Sequence, residues 1–166
     1  LLAQQGNDTF LRFAGARDVR LGQRIAIQPH QDYQLPPDVR TNDPEADLHL
    51  RICHRHLIHP TEWNPACVDL GQRVKSTRGE WKRLAFDFNS GDLGSFRKQL
   101  LAPLVLELGN RREYDLELKP QTLLDFDNLS LQHAGSGKEL MRNGNFERGI
   151  DHWFGYYDFN HLPWHI

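Results

Sequence analysis

The pattern that most constrains the fold of this chain is a series of short runs in which polar and apolar residues alternate, separated by Gly, Pro, Asn and Asp. No stretch of helical length carries apolar residues at the 3.6-residue period of an amphipathic helix. Alternation with a period of two instead places successive side chains on opposite faces of a β-strand. The sequence therefore predicts an all-β domain, and runs at this spacing are typical of a β-sandwich.

The alternating runs define the candidate strands and their buried faces. By residue number the candidate strands are 9–13, 19–27, 32–39, 47–53, 66–74, 81–88, 104–108, 114–118 and 123–131. Alternation assigns the apolar positions of one face to the core, for example Leu50 and Leu106. Pro36 and Pro37 cannot donate a hydrogen bond to a neighbouring strand, so they indicate an edge strand or a bulge. The apolar period also slips at 127–128, which predicts a bulge there.

Composition and charge limit the classes of partner. The 166 residues carry a formal net charge of −2, so no broad basic surface is expected and we do not expect nucleic acid as a partner. No apolar run approaches the length of a membrane-spanning helix, so no membrane span is expected. Residue 1 is Leu rather than Met and no signal-like segment follows it, from which we expect a processed or excised part of a larger protein.

The composition changes after residue 132, where a Gly-Ser-Gly-Lys run at 135–138 is typical of a short flexible linker. We accordingly predict a β-sandwich over 1–132, a linker over 133–139 and a C-terminal segment over 140–166. The aromatic and His residues at the end of this segment fit a stretch that approaches a membrane interface in a parent membrane protein.

Two short motifs lie in the C-terminal part of the chain. The run N-G-N-F-E at 143–147, followed by Gly149 and Trp153, resembles the opening strand of carbohydrate-binding modules in the galactose-binding-like superfamily. The run D-F-D-N-L-S-L at 125–131 is similar to their last strand. The resemblance implies a jelly-roll β-sandwich of two antiparallel sheets, a fold that hosts sugar binders, protein binders and spacers.

The opening motif stands at the wrong end of this chain for such a module. Residues 1–8 lack the motif, so 143–153 either completes this sandwich in place of the missing strand or begins a second module. In the first case the segment covers an open sheet edge beside the last strand. It does so within one molecule, or by exchange between two copies in a dimer.

The resemblance also implies a structural calcium ion near the contact between the opening and last strands. Asp127, Asn145 and Glu147 would supply its ligands, and hard oxygen donors are the type that calcium prefers. The alternative is that Asp127 only bonds its own backbone, as Asp at a bulge often does. No other cofactor is expected.

Two cysteines fall on neighbouring candidate strands. Cys53 and Cys67 both lie on the face opposite the apolar positions, which is the arrangement that a cross-strand disulfide requires. Two free thiols, or a zinc site with nearby His residues, are the alternatives. Alternation sends Cys53 and His54 to opposite faces, which argues against zinc. A disulfide would indicate an extracytoplasmic compartment, either periplasmic or secreted.

The candidate ligand-binding residues lie in one loop and on polar strand faces. Trp63 stands in a Pro-flanked loop with Glu62 and Asn64, which suits a sugar because a ring stacks on C–H groups while polar neighbours bond to hydroxyls. The polar-face candidates are His49, Arg51, Arg83, Asp87 and Glu107, of which Arg51 and Arg83 are the preferred ligand residues. The alternatives are a Trp folded onto the end of the sandwich and an ordinary solvated face.

These features predict a non-catalytic recognition module of a larger extracytoplasmic protein, with glycan as the expected ligand. No nucleophile elbow, phosphate loop or metalloprotease motif is present, and the carboxylates show no pairing beyond strand alternation. An enzyme is therefore not expected. The alternative functions are a structural or interaction domain without a small ligand and a small glycoside hydrolase.

Overall fold

The computed structural model of the chain describes residues 2–14, 20–43, 46–55, 66–71, 77–95, 102–111 and 122–156. Within these residues every regular element is a β-strand and all strand pairs are antiparallel. The all-β prediction is confirmed. The candidate strand at 114–118 lies outside the described residues. No described helix is long and apolar enough to cross a membrane.

The strands are arranged in three sheets. In chain order they are β1 (Leu2–Gln5), β2 (Asp8–Ala14), β3 (Arg20–Arg24), β4 (Asp32–Leu35), β5 (Asp38–Thr41), β6 (Asp47–His54), β7 (Cys67–Asp69), β8 (Lys82–Arg83), β9 (Phe86–Asn89), β10 (Leu104–Arg111), β11 (Leu123–Asp127), β12 (Gln132–His133) and β13 (Phe154–Tyr156). The first sheet has the order β1-β2-β11-β5-β8 and the second has the order β13-β3-β10-β6-β7. A third, smaller sheet has the order β12-β4-β9.

The core lies between the inward faces of the first two sheets. Leu11 and Phe126 from the first sheet, and Leu50 and Leu106 from the second, are fully buried members of one apolar cluster. Burial of a side chain of this size stabilises the fold by about 1.5–3 kcal/mol. Because period-two alternation fixes the inward face, it also fixes which residues face outward.

The third sheet corrects the prediction of two sheets, and the prolines explain it. The candidate strand 32–39 is interrupted at Pro36 and Pro37, and its halves diverge, since β4 pairs with β9 whereas β5 pairs with β11. The candidate strand 81–88 divides in the same way into β8 and β9. Proline cannot donate to a ladder, so the chain leaves one sheet for another at this point.

The predicted bulge at 127–128 is instead the end of a strand. β11 ends at Asp127, and Asn128 adopts a φ of 48°, a left-handed conformation that Asn tolerates better than most residues. The chain then continues into β12 of the third sheet. The slip in the apolar period therefore marks a change of sheet.

Residues 133–139 form a hydrogen-bonded turn between two packed segments. The amide of Gly137 donates to the carbonyl of His133 at 2.8 Å, and the amide of His133 donates to the carbonyl of Lys138 at 3.1 Å. An isolated β-bridge joins Gln132 to Glu139. The turn reverses the chain, so the residues that follow it run back alongside β12.

The C-terminal segment packs on the core of the same sandwich. Met141, Phe146 and Trp153 are buried members of the main apolar cluster, and β13 pairs with β3 at the edge of the second sheet. The amide of Leu129 donates to the carbonyl of Gly144 at 3.0 Å. A Cβ at Gly144 would lie 1.9 Å from the Leu129 carbonyl oxygen, so this close backbone approach requires glycine.

Candidate functional site

The outward face of the second sheet carries charged side chains on its central strands. Across β3, β10 and β6, Gly22 lies opposite Glu107, which in turn lies opposite Arg51. Across β6 and β7, Arg51 lies opposite Asp69. We call the set of His49, Arg51, Arg55, Asp69 and Glu107 the outer-face cluster.

Glu107 is the centre of the outer-face cluster. Its side chain is 0% exposed and pairs with Arg55, which follows β6. Burial raises the pKa of Glu107, but the hydrogen bond from His49 and the positive charge of Arg55 outweigh it, so that the pKa lies below its ordinary value. Glu107 is therefore a carboxylate at neutral pH and binds its two partners in that form.

His49 is a neutral partner of Glu107. Its Nε2 lies 3.4 Å from the Glu107 Oε2, and burial lowers the pKa of the imidazole despite the carboxylate beside it. A neutral ring in this position donates its Nε2 hydrogen to Glu107. The hydrogen bond therefore holds both side chains in place on the outward face of the second sheet.

The two carboxylates of the outer-face cluster are each paired with an arginine. Asp69 and Glu107 are separated by the intervening β6, which places their Cα atoms about 10 Å apart across two strand spacings. Arg51 lies 3.5 Å from Asp69, and Arg55 neutralises Glu107. Glycosidases use two carboxyl groups roughly 5–9.5 Å apart, one of which acts as an acid, whereas each carboxylate here faces an arginine.

A disulfide borders the outer-face cluster. Cys53 and Cys67 lie directly opposite each other on β6 and β7, with an S–S distance of 2.10 Å and a Cα–Cα distance of 4.2 Å. His54 turns the other way, and its Nδ1 lies 2.7 Å from the carbonyl oxygen of Ala102. Both thiols of the zinc alternative are joined in this disulfide, and among the described residues no group of three His, Cys, Asp or Glu side chains is placed to hold a metal ion.

The disulfide joins the two strands that flank the segment with the predicted sugar platform. Trp63, Glu62 and Asn64 lie in 56–65, which is outside the described residues. The chain enters this loop after β6 and returns from it into β7. The loop therefore starts and ends at one end of the two strands that carry Arg51 and Asp69.

The structure does not bring together all of the predicted polar-face residues. His49, Arg51 and Glu107 share the outward face of the second sheet. Arg83 lies on β8 at the edge of the first sheet, where its Nη1 is 3.1 Å from Asp38. Asp87 lies on β9 in the third sheet. Arg83 and Arg51 therefore do not contribute to one surface.

Of the three residues expected to bind calcium, Asp127 and Glu147 lie close enough for their charges to interact. The Asp127 carboxylate accepts the amide of Asn128 at 2.7 Å, and the Glu147 carboxylate accepts the amide of Thr9 at 3.0 Å. The side chain of Asn145 is exposed. Burial, and after it the negative charges that include Glu147, raise the pKa of Asp127 to about 6. Calcium binding stays a prediction. The negative charges near Asp127 give it a physical reason, because a bound cation would neutralise them.

Asp127→Asn is expected to stabilise the protein at neutral pH. A carboxyl whose folded-state pKa is about 6 rather than 3.8 holds its proton more tightly when folded, so the stability it contributes falls as the pH rises between these values. At pH 7.5 the Asn variant should unfold with a free energy higher by about 1–3 kcal/mol, and this gain should disappear by pH 4. Urea denaturation in a chelator measures both values.

Asp87→Asn is the matched control, because this carboxylate is exposed on β9 and its replacement should leave the free energy of unfolding within about 0.5 kcal/mol of the original value. A gain for Asp127→Asn that is equal at both pH values would contradict the electrostatic explanation. Calcium that raises the melting temperature of the unmodified protein but not of Asp127→Asn would support the predicted ion.

A second charged cluster, on the outward face of the first sheet, was missed by sequence reasoning. Asp125 is almost fully buried and pairs with Arg12 at 2.7 Å and with Arg40 at 2.8 Å. The Arg40 guanidinium also lies 4.4 Å from the ring centre of Trp81 and 4.8 Å from that of Phe10. The sequence does place each of these residues on the polar face of its strand. It does not show the order in which the strands pair, and that order brings the residues together.

The fold and its faces define a class of protein: a jelly-roll β-sandwich of the kind found in carbohydrate-binding modules. No protein-family model matches the sequence, and no curated protein matches it with significant similarity. The comparison with solved structures does find matches, and three of them are carbohydrate-binding modules or include one.

Three of these solved structures are the following. A family 16 carbohydrate-binding module-2 has 17% identity, coverage of 74% of this chain and 75% of its own, and a TM-score of 0.47. The CBM22-1-GH10 modules of Clostridium thermocellum endo-1,4-β-D-xylanase 10B, complexed with xylohexaose, have 12% identity, coverage of 86% and 26%, and a TM-score of 0.51. The CBM22-1 xylan-binding domain of Paenibacillus barcinonensis Xyn10C has 13% identity, coverage of 79% and 75%, and a TM-score of 0.46.

At these identities the likeness concerns the fold alone. The TM-score of 0.51 relates this chain to part of the xylanase, of which it spans 26%. The β-sandwich prediction and the resemblance to carbohydrate-binding modules are thereby confirmed at the level of fold.

Proposed function

We propose that this chain is a non-catalytic module that binds glycan. The observation that carries the proposal is the outer-face cluster, in which the buried Glu107 and its partners form a fixed base beside Arg51 and Asp69, whose side chains are about one third exposed. Fixed donors and acceptors suit sugar hydroxyls, because little side-chain freedom is lost when the ligand binds. Trp63, in the loop that joins the two strands carrying Arg51 and Asp69, would supply the stacking ring.

The fold supports the same proposal. The xylanase with which this chain shares its β-sandwich was solved with bound xylohexaose, so a sandwich of this type occurs in a protein that binds a polysaccharide fragment. For this chain the ligand class is glycan in general. The pairing of Asp69 and Glu107 with arginines favours binding over hydrolysis.

We further propose that the module belongs to a larger extracytoplasmic protein. The Cys53–Cys67 disulfide is the supporting observation, because such bonds persist in oxidising compartments and are rare in the cytosol. Thiol titration of protein isolated without reductant tests this proposal. Two titratable thiols in the unfolded protein would remove its support.

Trp63→Ala is expected to abolish glycan binding while lowering the free energy of unfolding by less than about 1 kcal/mol. A glycan array identifies the ligand, and calorimetry with the best ligand compares the variants. Trp81→Ala is the control, since this ring packs on Phe10 on the first sheet, with ring centres 5.4 Å apart. It should leave the affinity unchanged.

Two outcomes would contradict the proposed function. If no class of glycan binds to the intact chain, the chain is a structural or interaction domain. If Trp63→Ala destabilises the fold strongly and leaves binding intact, the ring belongs to the core and the sugar platform is elsewhere.

A further inference from the structure

A cavity of about 500 Å³ lies at the edge of the second sheet, between β3 and the C-terminal segment. β13 pairs with β3 along Arg20, Leu21 and Gly22, and no strand in the described part of the chain covers the edge of β3 beyond that point. The side chains used below line this opening: Arg24, Ile25, Leu140, Arg142, His152 and Phe154.

The wall of the cavity is held in place by buried hydrogen bonds. Gln23 is 3% exposed, and its side-chain amide donates to the Arg142 carbonyl at 2.8 Å while accepting the Arg142 amide at 2.8 Å. The indole of Trp153 donates to the carbonyl of Asn143 at 3.1 Å. The first two bonds tie Arg142 to β3, and the third joins the two ends of the segment 142–153 to each other.

The cavity combines unbalanced positive charge with an apolar surface. The side chains of Arg24 and Arg142 have no ion pair within the described parts of the chain, and both residues are exposed. His152 is close to a carboxylate, with its Nε2 3.6 Å from Asp151. Ile25 and Leu140 line the same cavity and supply apolar surface.

Phe154 connects this cavity to the outer-face cluster. The residue is 38% exposed, and its ring packs over Gly22, where a Cβ would lie 2.8 Å from the ring. Gly22 is the direct neighbour of Glu107 on the next strand. A glycan chain that crosses the outward face from Arg51 towards β3 would therefore meet the Phe154 ring and then the two arginines.

We propose that the cavity binds an acidic residue of a glycan, namely a pyranose that carries a carboxylate or a sulfate group. Arg24 and Arg142 bind the anionic group, since a guanidinium donates paired hydrogen bonds to planar or tetrahedral oxyanions. Phe154 stacks on the C–H face of the same sugar ring. The inference rests on the proposed glycan binding and adds the charge of the ligand to it.

The test compares three hexasaccharide probes by calorimetry: an oligogalacturonate, a sulfated galactan fragment and neutral xylohexaose. The intact chain should bind at least one acidic probe at least tenfold more tightly than the neutral one, and this preference should shrink as salt is added. The double variant R24Q/R142Q should lose that preference and keep its affinity for the neutral probe. Both side chains are exposed, so the fold should persist, and urea denaturation checks that it does.

K82Q is the control, because Lys82 is an exposed cation on β8 of the first sheet and lies outside both proposed binding surfaces. It should leave all three affinities unchanged. Preference for the sulfated over the carboxylated probe, or the reverse, decides which anion the cavity takes. Binding of the neutral probe alone, or an unchanged preference in R24Q/R142Q, overturns this inference and leaves the proposed function standing. Binding of no glycan overturns both.

Discussion

Phe146→Ala is expected to lower the free energy of unfolding by about 3–5 kcal/mol, the range for removing a large aromatic side chain from a core. Phe146 is 0% exposed, and its ring centre lies 5.5 Å from that of Trp153. Both rings belong to the apolar cluster that also contains Leu11 and Leu106. Equilibrium urea denaturation followed by tryptophan fluorescence measures the loss.

Ile150→Ala is the matched control for this prediction. Ile150 lies in the same segment but is 45% exposed, so its truncation should change the free energy of unfolding by less than about 0.5 kcal/mol. Equal small effects at the two positions would show that 143–153 does not complete the sandwich and instead opens a further module. A melting temperature that rises with protein concentration would show that the segment is exchanged between two copies.

The buried apolar faces could be predicted because they depend on local pattern. Period-two alternation places Leu50 and Leu106 inward with no knowledge of their partners, and the structure buries both. The same reasoning placed Cys53 and Cys67 on one outward face, and the structure joins them. Neighbouring strands in sequence are often neighbours in a sheet, which is why this pairing was accessible.

Pairing between distant strands could not be predicted. Pro36 and Pro37 signalled an interruption, but whether the chain stays in one sheet after it depends on strands far away in sequence. Arg12, Arg40 and Asp125 come from strands separated by up to 113 residues, so their cluster depends on that same order. A local pattern carries no information on it.

The conformation of the C-terminal segment was also beyond the sequence. Its apolar residues indicated that it must be buried, and that part of the interpretation needed only composition. Asn143, Phe146 and His152, however, have φ values of 50°, 52° and 70°. A positive φ is unusual for an aromatic residue such as Phe, so propensity alone would have assigned an extended strand here.

The candidate site, too, could be predicted from the sequence only in part. The outward positions of His49, Arg51 and Glu107 followed from alternation, whereas the complete burial of Glu107 did not. Burial of an outward-facing carboxylate needs a cationic partner, and here Arg55 supplies it from beyond the end of β6. A carboxylate in the middle of an otherwise apolar strand was the one available signal.

Glu107→Ala is expected to lower the free energy of unfolding by about 3 kcal/mol at neutral pH. Removal of one member of a buried ion pair leaves the other without compensation, which costs more than the intact pair contributes. Here the Arg55 side chain is only 19% exposed, and the buried His49 would also lose the acceptor of its Nε2 hydrogen. Thermal and urea denaturation of the two proteins measure the difference.

The pH dependence and a matched variant make this prediction specific to the buried pair. The folded-state pKa of Glu107 is depressed, so the stability it contributes is present above the unfolded pKa and is lost as the pH falls through the folded value. The difference in free energy of unfolding between the intact chain and Glu107→Ala should therefore narrow in acid.

Asp69→Asn is the matched variant. It removes a carboxylate that pairs with Arg51 on the same face but is 34% exposed, and it should lower the free energy of unfolding by less than about 1 kcal/mol. Equal costs for the two variants at neutral pH would mean that burial of Glu107 does not set the strength of its pairing.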